Sequence, residues 1–193
     1  MTVEIRRLSI PEFSVHCPAF VDIYLTAMGY SPSLRNRQIE NWRRDTSRPA
    51  FTALCAIEQD FIIGVAYGFL GTPDHWWYRQ LEHGLAHHSP PITHYRNILS
   101  SFFEVAELHV APSRQSRGVG RMLISQLLHH VPADYAVLST PEVPQESNAA
   151  FHLYRSLGFQ DLLRNYYFSG DSRPFAVLYS ALPVNSSIVS NGR

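Results

Sequence analysis

Short apolar segments interleaved with amphipathic ones predict a mixed α/β domain for this chain. Three observations carry that expectation. Segments 51–57, 61–70 and 135–139 are aromatic, β-branched or otherwise apolar runs of strand length. Segments 18–28 and 116–128 instead carry apolar residues three and four positions apart, the period of a helix with one buried face. The two kinds follow one another as β-αα-βββ-α-β-α-ββ, and at 193 residues with 45% hydrophobic content the chain is long enough for one domain with a substantial core.

The first strand is expected at Val3–Leu8, where Val3, Ile5 and Leu8 set the apolar pattern. A helix follows over Pro18–Met28, with Phe20, Ile23, Tyr24 and Ala27 on one face, until the run Gly29-Tyr30-Ser31-Pro32 breaks it. Ser31 or Ser33 caps a second helix that ends at Asp45. Phe51–Ile57 and Phe61–Leu70 form a hairpin through the short link Glu58-Gln59-Asp60. Then comes an unusual stretch, 71–103. Trp77, Leu81 and Leu85 recur every four residues, so 75–86 is expected to be an amphipathic helix. His87-His88-Ser89-Pro90-Pro91 ends it, and Tyr95, Ile98, Leu99 and Phe102 outline another short helix. Beyond residue 128, strands are expected at Tyr135–Ser139, Phe159–Phe168 and Phe175–Leu182, with a helix over 148–157. The domain thus spans 1–182, and the small, polar tail 183–193 is expected to be disordered.

Composition excludes several function classes. The formal net charge is zero, so the chain lacks the electrostatic footprint of a nucleic-acid binder. No run of about 18 apolar residues is present to span a membrane, and the start, MTVEIRRLSI, lacks the apolar core of a signal peptide. Cys17 and Cys55 lie far apart without metal spacing and read as buried thiols of a reducing, cytoplasmic protein. All 16 basic residues are arginine, which excludes Schiff-base, P-loop and biotinylated lysines. His83 and His87 stand four apart on a helix, but no carboxylate or cysteine is spaced to complete a metal site, and no metal is expected.

The chemistry lies in 104–128, EVAELHVAPSRQSRGVGRMLISQLL. A strand, Glu104–Val110, leads into a turn rich in glycine and arginine, and Val119, Met122, Leu123 and Leu127 mark the helix after it. Glycines at a helix start let a ligand approach the backbone. The first helical amides have no internal partner, and the helix dipole favours an anion there, most naturally a phosphate. Arg114, Arg117 and Arg121 add formal charge.

Gln115, Gly118 and Gly120 match the pattern Q/R-x-x-G-x-G/A between strand and helix, and Tyr154, Gly158 and Phe159 match a second, ordered signature in NAAFHLYRSLGF. Through these two motifs the chain resembles the GNAT superfamily of acyl-CoA-dependent N-acyltransferases, over roughly residues 3–182. In the second motif Ser147 occupies the usual Asn position and Asn148 falls one residue late. The resemblance implies a central mixed sheet of about seven strands, flanked by helices on both faces and splayed between strands four and five. It implies acetyl-CoA or another acyl-CoA as co-substrate, with pyrophosphate on Gln115, Ser116, Arg117, Gly118, Val119, Gly120 and Arg121. The pantetheine arm would lie along Leu108, His109 and Val110, with Asn148 and Tyr154 nearby.

Acyl transfer to an amine needs a base, because an ammonium of pKa about 10 is not a nucleophile. Glu104 and Glu107 are the candidates; three apart on a strand, they face opposite ways unless a bulge intervenes. The resemblance favours Glu104, fourteen residues before Gly118, and makes Tyr154 the acid that meets the leaving thiolate. The expected activity is transfer of an acetyl group to a primary amine of a small molecule or peptide. A non-catalytic acyl-CoA-binding module and a protein-interaction module are the alternatives, and a homodimer is left open. Residues 71–103 are expected to shape the acceptor pocket, as a lid that avoids the nucleotide.

Overall fold

The computed structural model describes residues 2–87 and 93–184. Seven strands form one sheet: β1 (Glu4–Leu8), β2 (Thr52–Glu58), β3 (Phe61–Leu70), β4 (Phe102–Val110), β5 (Tyr135–Pro141), β6 (Gln160–Tyr166) and β7 (Phe175–Ala181). Their order across the sheet is β1-β2-β3-β4-β5-β7-β6. All neighbours are antiparallel except β4 and β5, whose parallel pairing covers only Phe102–Glu104 against Tyr135–Val137. Beyond Glu104 and Val137 the two strands part. Leu108 to Val110 therefore have no strand partner on the β5 side, as the expected splay requires.

Six helices cover the sheet: α1 (Ile10–Met28), α2 (Arg35–Asp45), α3 (Trp76–Ala86), α4 (Thr93–Ser100), α5 (Val119–Leu127) and α6 (Ala149–Ser156). Strand alternation divides the core between two faces. Leu54 and Ala56 of β2 point toward α5 and α6, with Leu123, Leu127, Phe151 and Leu157. Ala53 and Cys55 point the other way, against Phe13, Cys17, Phe20 and Trp42 from α1 and α2. Those two helices cover the β1–β4 side of their face. On the other half, Trp77, Leu81, Leu85 and Ile98 pack on Val137, Leu162, Leu163 and Val177. Helices α3 and α4 are thus the missing half of a helical layer. Leu81 is fully buried and Leu85 nearly so.

Several boundaries differ from expectation, among them the start of α5 at Val119 rather than 116. Helix α1 begins eight residues before Pro18, because Ser9 and Glu12 form a reciprocal capping box and Pro11 falls in the first turn. Pro18 therefore lies inside the helix. Phe102 belongs to β4 rather than to the preceding helix face, where it stacks on Tyr78. The β2–β3 hairpin turns through Gln59 and Asp60, both at positive φ, the conformation that suits a two-residue hairpin. The tail from residue 185 and the break at 88–91 lie outside the described residues. Among those described, no helix is long and apolar enough to cross a membrane.

Candidate active site

The turn after β4 is built for close approach. Gln115 Nε2 donates to the Val110 carbonyl at 3.0 Å, tying the turn to the strand end. Ser116 (φ +60) and Gly118 (φ +81) both take positive φ. Gly118 is the N-cap of α5, and no side chain caps that helix. The Met122 amide finds the Gly118 carbonyl, so the amides of Val119, Gly120 and Arg121 are the ones left without a helical acceptor. A Cβ on Gly118 would meet nothing within 4 Å, whereas one on Gly120 would stand 3.2 Å from Leu153 Cδ2.

Beside this turn lies a cavity of about 490 Å³, lined by Leu108, His109, Val110, Gln115, Ser116, Gly118, Gly120, Arg121, Asn148 and Tyr154 among others. The structure therefore brings together ten of the twelve residues expected at the cofactor. The Arg117 side chain is exposed and away from this cavity. Val119 is buried in the core and offers only its amide. Arg114 is turned away as well, with Nε 2.5 Å from Glu58 Oε2. Asn148 serves as N-cap of α6, its Oδ1 accepting from the Phe151 amide at 2.9 Å.

The two strand carboxylates come to one side of the sheet. Tyr67 pairs with Glu107 while Gly68 pairs with Val105, so Ala106 is an extra, bulged residue in β4. One inserted residue restores the alternation between positions three apart, and Glu104 and Glu107 share a face. They remain distinct in depth. Glu107 is half-buried, its Oε2 lies 2.5 Å from His109 Nε2, and it lines the cavity of about 460 Å³ in the splay that also holds Tyr154. Glu104 is only 6% exposed and lines the adjoining recess behind, which Glu107 lines as well. Burial pushes its carboxyl above the ordinary carboxylate range, against the opposing pull of His75. His75 Nδ1 lies 3.2 Å from Glu104 Oε2, but too far off line for a hydrogen bond, and both atoms lack a bonded partner among the described residues.

Tyr154 reaches the splay from α6. Burial, helped by the charge of Glu107, raises its phenol well above the usual value, so it is held as a proton-bearing hydroxyl. Three further polar residues join the site that periodicity could not single out. Asp45 Oδ2 accepts from the Tyr67 hydroxyl at 2.9 Å, and His75 stands at the entry to α3. A histidine just before two tryptophans was the only visible signal; Asp45 and Tyr67 had none.

The fold recurs in known proteins. The family model described as an acetyltransferase (GNAT) domain matches residues 54–161. A GCN5-like protein acetyltransferase of Mycobacterium tuberculosis is 34% identical over 184 residues, covering 84% of this chain and 89% of that protein. An N-acetyltransferase from Staphylococcus aureus superposes with a TM-score of 0.63 at 14% identity, over 94% of this chain and 99% of that one. The Salmonella typhimurium protein yncA, solved with its cofactor acetyl-CoA, superposes with a TM-score of 0.59 at 17% identity, over 94% and 95% of the two chains.

Proposed function

This chain belongs to the GNAT acetyltransferases, and from that premise we propose that it transfers an acetyl group from acetyl-CoA directly to a primary amine of a small molecule or peptide. The observation that carries the reading is the split between β4 and β5. It joins an anion-accepting turn on one side to a carboxylate-lined cavity on the other, with Tyr154 lining both.

The residues present fit the co-substrate. The turn has positive φ at Gly118 and a Gly120 whose missing Cβ keeps its wall open. The free amides of Val119, Gly120 and Arg121 would meet the pyrophosphate, with the Arg121 guanidinium adding charge. The unpaired edge of β4 at Leu108–Val110 would take the pantetheine arm as an added strand. When bound, acetyl-CoA supplies the thioester carbonyl and the thiolate leaving group.

The chain's own residues then handle two protons. Glu107, in the same cavity as Tyr154, takes the proton of the incoming ammonium, directly or through one water. Its contact with His109 orients the carboxylate. The resemblance favours Glu104 as the base; its greater burial, 6% exposed, is our reason for assigning that role to Glu107 instead. Tyr154, kept protonated by burial, donates to the departing sulfur.

Thiol release from acetyl-CoA across a panel of primary amines tests this reading. Turnover is expected, and Glu107→Gln is expected to lose most of its rate near neutral pH while approaching the parent near pH 10, where free amine is abundant. Saturable acetyl-CoA binding without turnover on any amine would make the chain a binding module instead. A Glu107→Gln profile that overlays the parent would remove Glu107 from the mechanism.

A further inference from the structure

We propose that the recess between α2 and α3 is a subsite for a second cationic group of the acceptor, so that the acceptor is a short aliphatic diamine with one amine reacting beside Glu107 and the other held by Asp45 and Glu104. The inference rests on the acetyl-transfer reading for its reacting end only.

The recess has a volume of about 290 Å³. It forms where the two helical layers of one sheet face meet, α1–α2 on one side and α3–α4 on the other. Three carboxylates line it, Asp45, Glu104 and Glu107, and no arginine does. Arg48, whose charge reaches Asp45, is engaged outside by Asp74 at 3.0 Å. His75 is the one group on the wall that can carry positive charge, and it is poorly aligned with Glu104.

Two of these carboxylates are placed at a cost. Glu104 is nine-tenths buried with one oxygen lacking a hydrogen-bond partner among the described residues. Asp45 is the last residue of α2, where the negative end of the helix dipole disfavours an acid. Burial and the neighbouring Glu107 both push its carboxyl upward. Like charges gathered in a half-closed recess repel, and an entering cation relieves the repulsion. The remaining walls suit an ammonium on an aliphatic stem: Trp42, Trp76, Trp77 and Tyr67 offer apolar and π surface.

The recess is continuous with the reaction cavity. Trp76, Trp77, Val105, Ala106, Glu107 and Ser139 line both. A chain whose first amine stands at Glu107 therefore has a direct path for its second toward Asp45. The bulge at Ala106 makes this path, since without it Glu104 and Glu107 would face opposite sides of the sheet.

The test compares 1,4-diaminobutane with butylamine, which share a stem and differ by one cation. Calorimetric titration of the full chain is expected to show the diamine binding at least tenfold more tightly. Two variants should abolish that preference. Asp45→Asn removes the charge while keeping an oxygen for the Tyr67 hydroxyl. Asn41→Lys places a tethered ammonium at the rim of the recess from a partly exposed helix position. Equal affinity of the parent for the two amines overturns the proposal. So does a tenfold preference that survives in either variant with an unchanged melting temperature. The titration requires no turnover. Diamine binding without acetyl transfer would leave the subsite standing and remove the catalytic reading, and acetylation of both amines with equal kcat/KM would do the reverse.

Discussion

Replacing Gly118 by alanine isolates the backbone's part in holding the co-substrate. At φ +81 and ψ −3 the residue sits in left-handed space, where an L side chain costs roughly 1–2 kcal/mol. A Cβ there would touch nothing within 4 Å, so the cost is conformational and carries no clash. Gly118→Ala has two responses open to it. If the turn keeps its shape, the folded state loses about 1–2 kcal/mol, and for a domain of this size the melting temperature falls by roughly 2–8 °C. If the turn relaxes, stability is spared but the first amides of α5 lose their common aim. Acetyl-CoA affinity then drops by about 5–30-fold, at tenfold per 1.4 kcal/mol. The two losses together should total roughly 1–2 kcal/mol, read by thermal melts and by calorimetric titration with acetyl-CoA. Gly120→Ala provides the contrast. Its φ is helical, alanine favours the helix, and the added Cβ need only push Leu153 Cδ2 from 3.2 Å. Its melting temperature should hold while affinity falls more modestly. A Gly118→Ala protein with unchanged melting temperature and unchanged affinity would refute the argument.

Three other outcomes are expected. Tyr154→Phe should lower kcat by something like 10²–10⁴ with little change in acetyl-CoA affinity; steady-state kinetics that match the parent would exclude the phenol as proton donor. Glu104→Gln should stabilise the fold in a pH-dependent way. Because the folded carboxyl is raised, the native state holds the proton more tightly than the unfolded chain. The parent therefore loses stability as pH rises from the unfolded value near 4.3 through the folded one. Melts at pH 7 should favour the variant, and melts at pH 4 should not separate the two; a difference that is the same at both would contradict the assignment. Leu81→Ala, at a fully buried position in α3, should cost about 2–5 kcal/mol in denaturant unfolding, whereas a change below 1 kcal/mol would mean that the helix is a detachable flap.

Most strand and helix positions were legible in the sequence because each reports on its own neighbours. The apolar run 61–70 and the four-residue spacing of Trp77, Leu81 and Leu85 declare a strand and a helix wherever they are packed. The glycine turn proposed to hold the pyrophosphate was legible for the same reason, since Gln115, Gly118 and Gly120 act through local backbone geometry. The start of α1 was legible too, in the pair Ser9 and Glu12, but Pro18 is a more conspicuous signal for a helix start and masked it.

The acceptor side could not be read this way. Whether Glu104 and Glu107 share a face depends on one extra residue, Ala106, and a bulge exists only relative to the partner strand β3. Asp45, Tyr67, His75 and Glu104 come from four separate segments, and only the meeting of α2 with α3 over β3 and β4 puts them around one recess. The stretch 71–103 announced two helices in its own spacing, but not that half a sheet face was left uncovered for them. Period and turn chemistry are written in adjacent residues, so the sequence alone determined the elements and the glycine turn that follows β4. The depth of each carboxylate, its proton affinity and the space between the layers arise from contacts across the fold, and those only the tertiary structure decided.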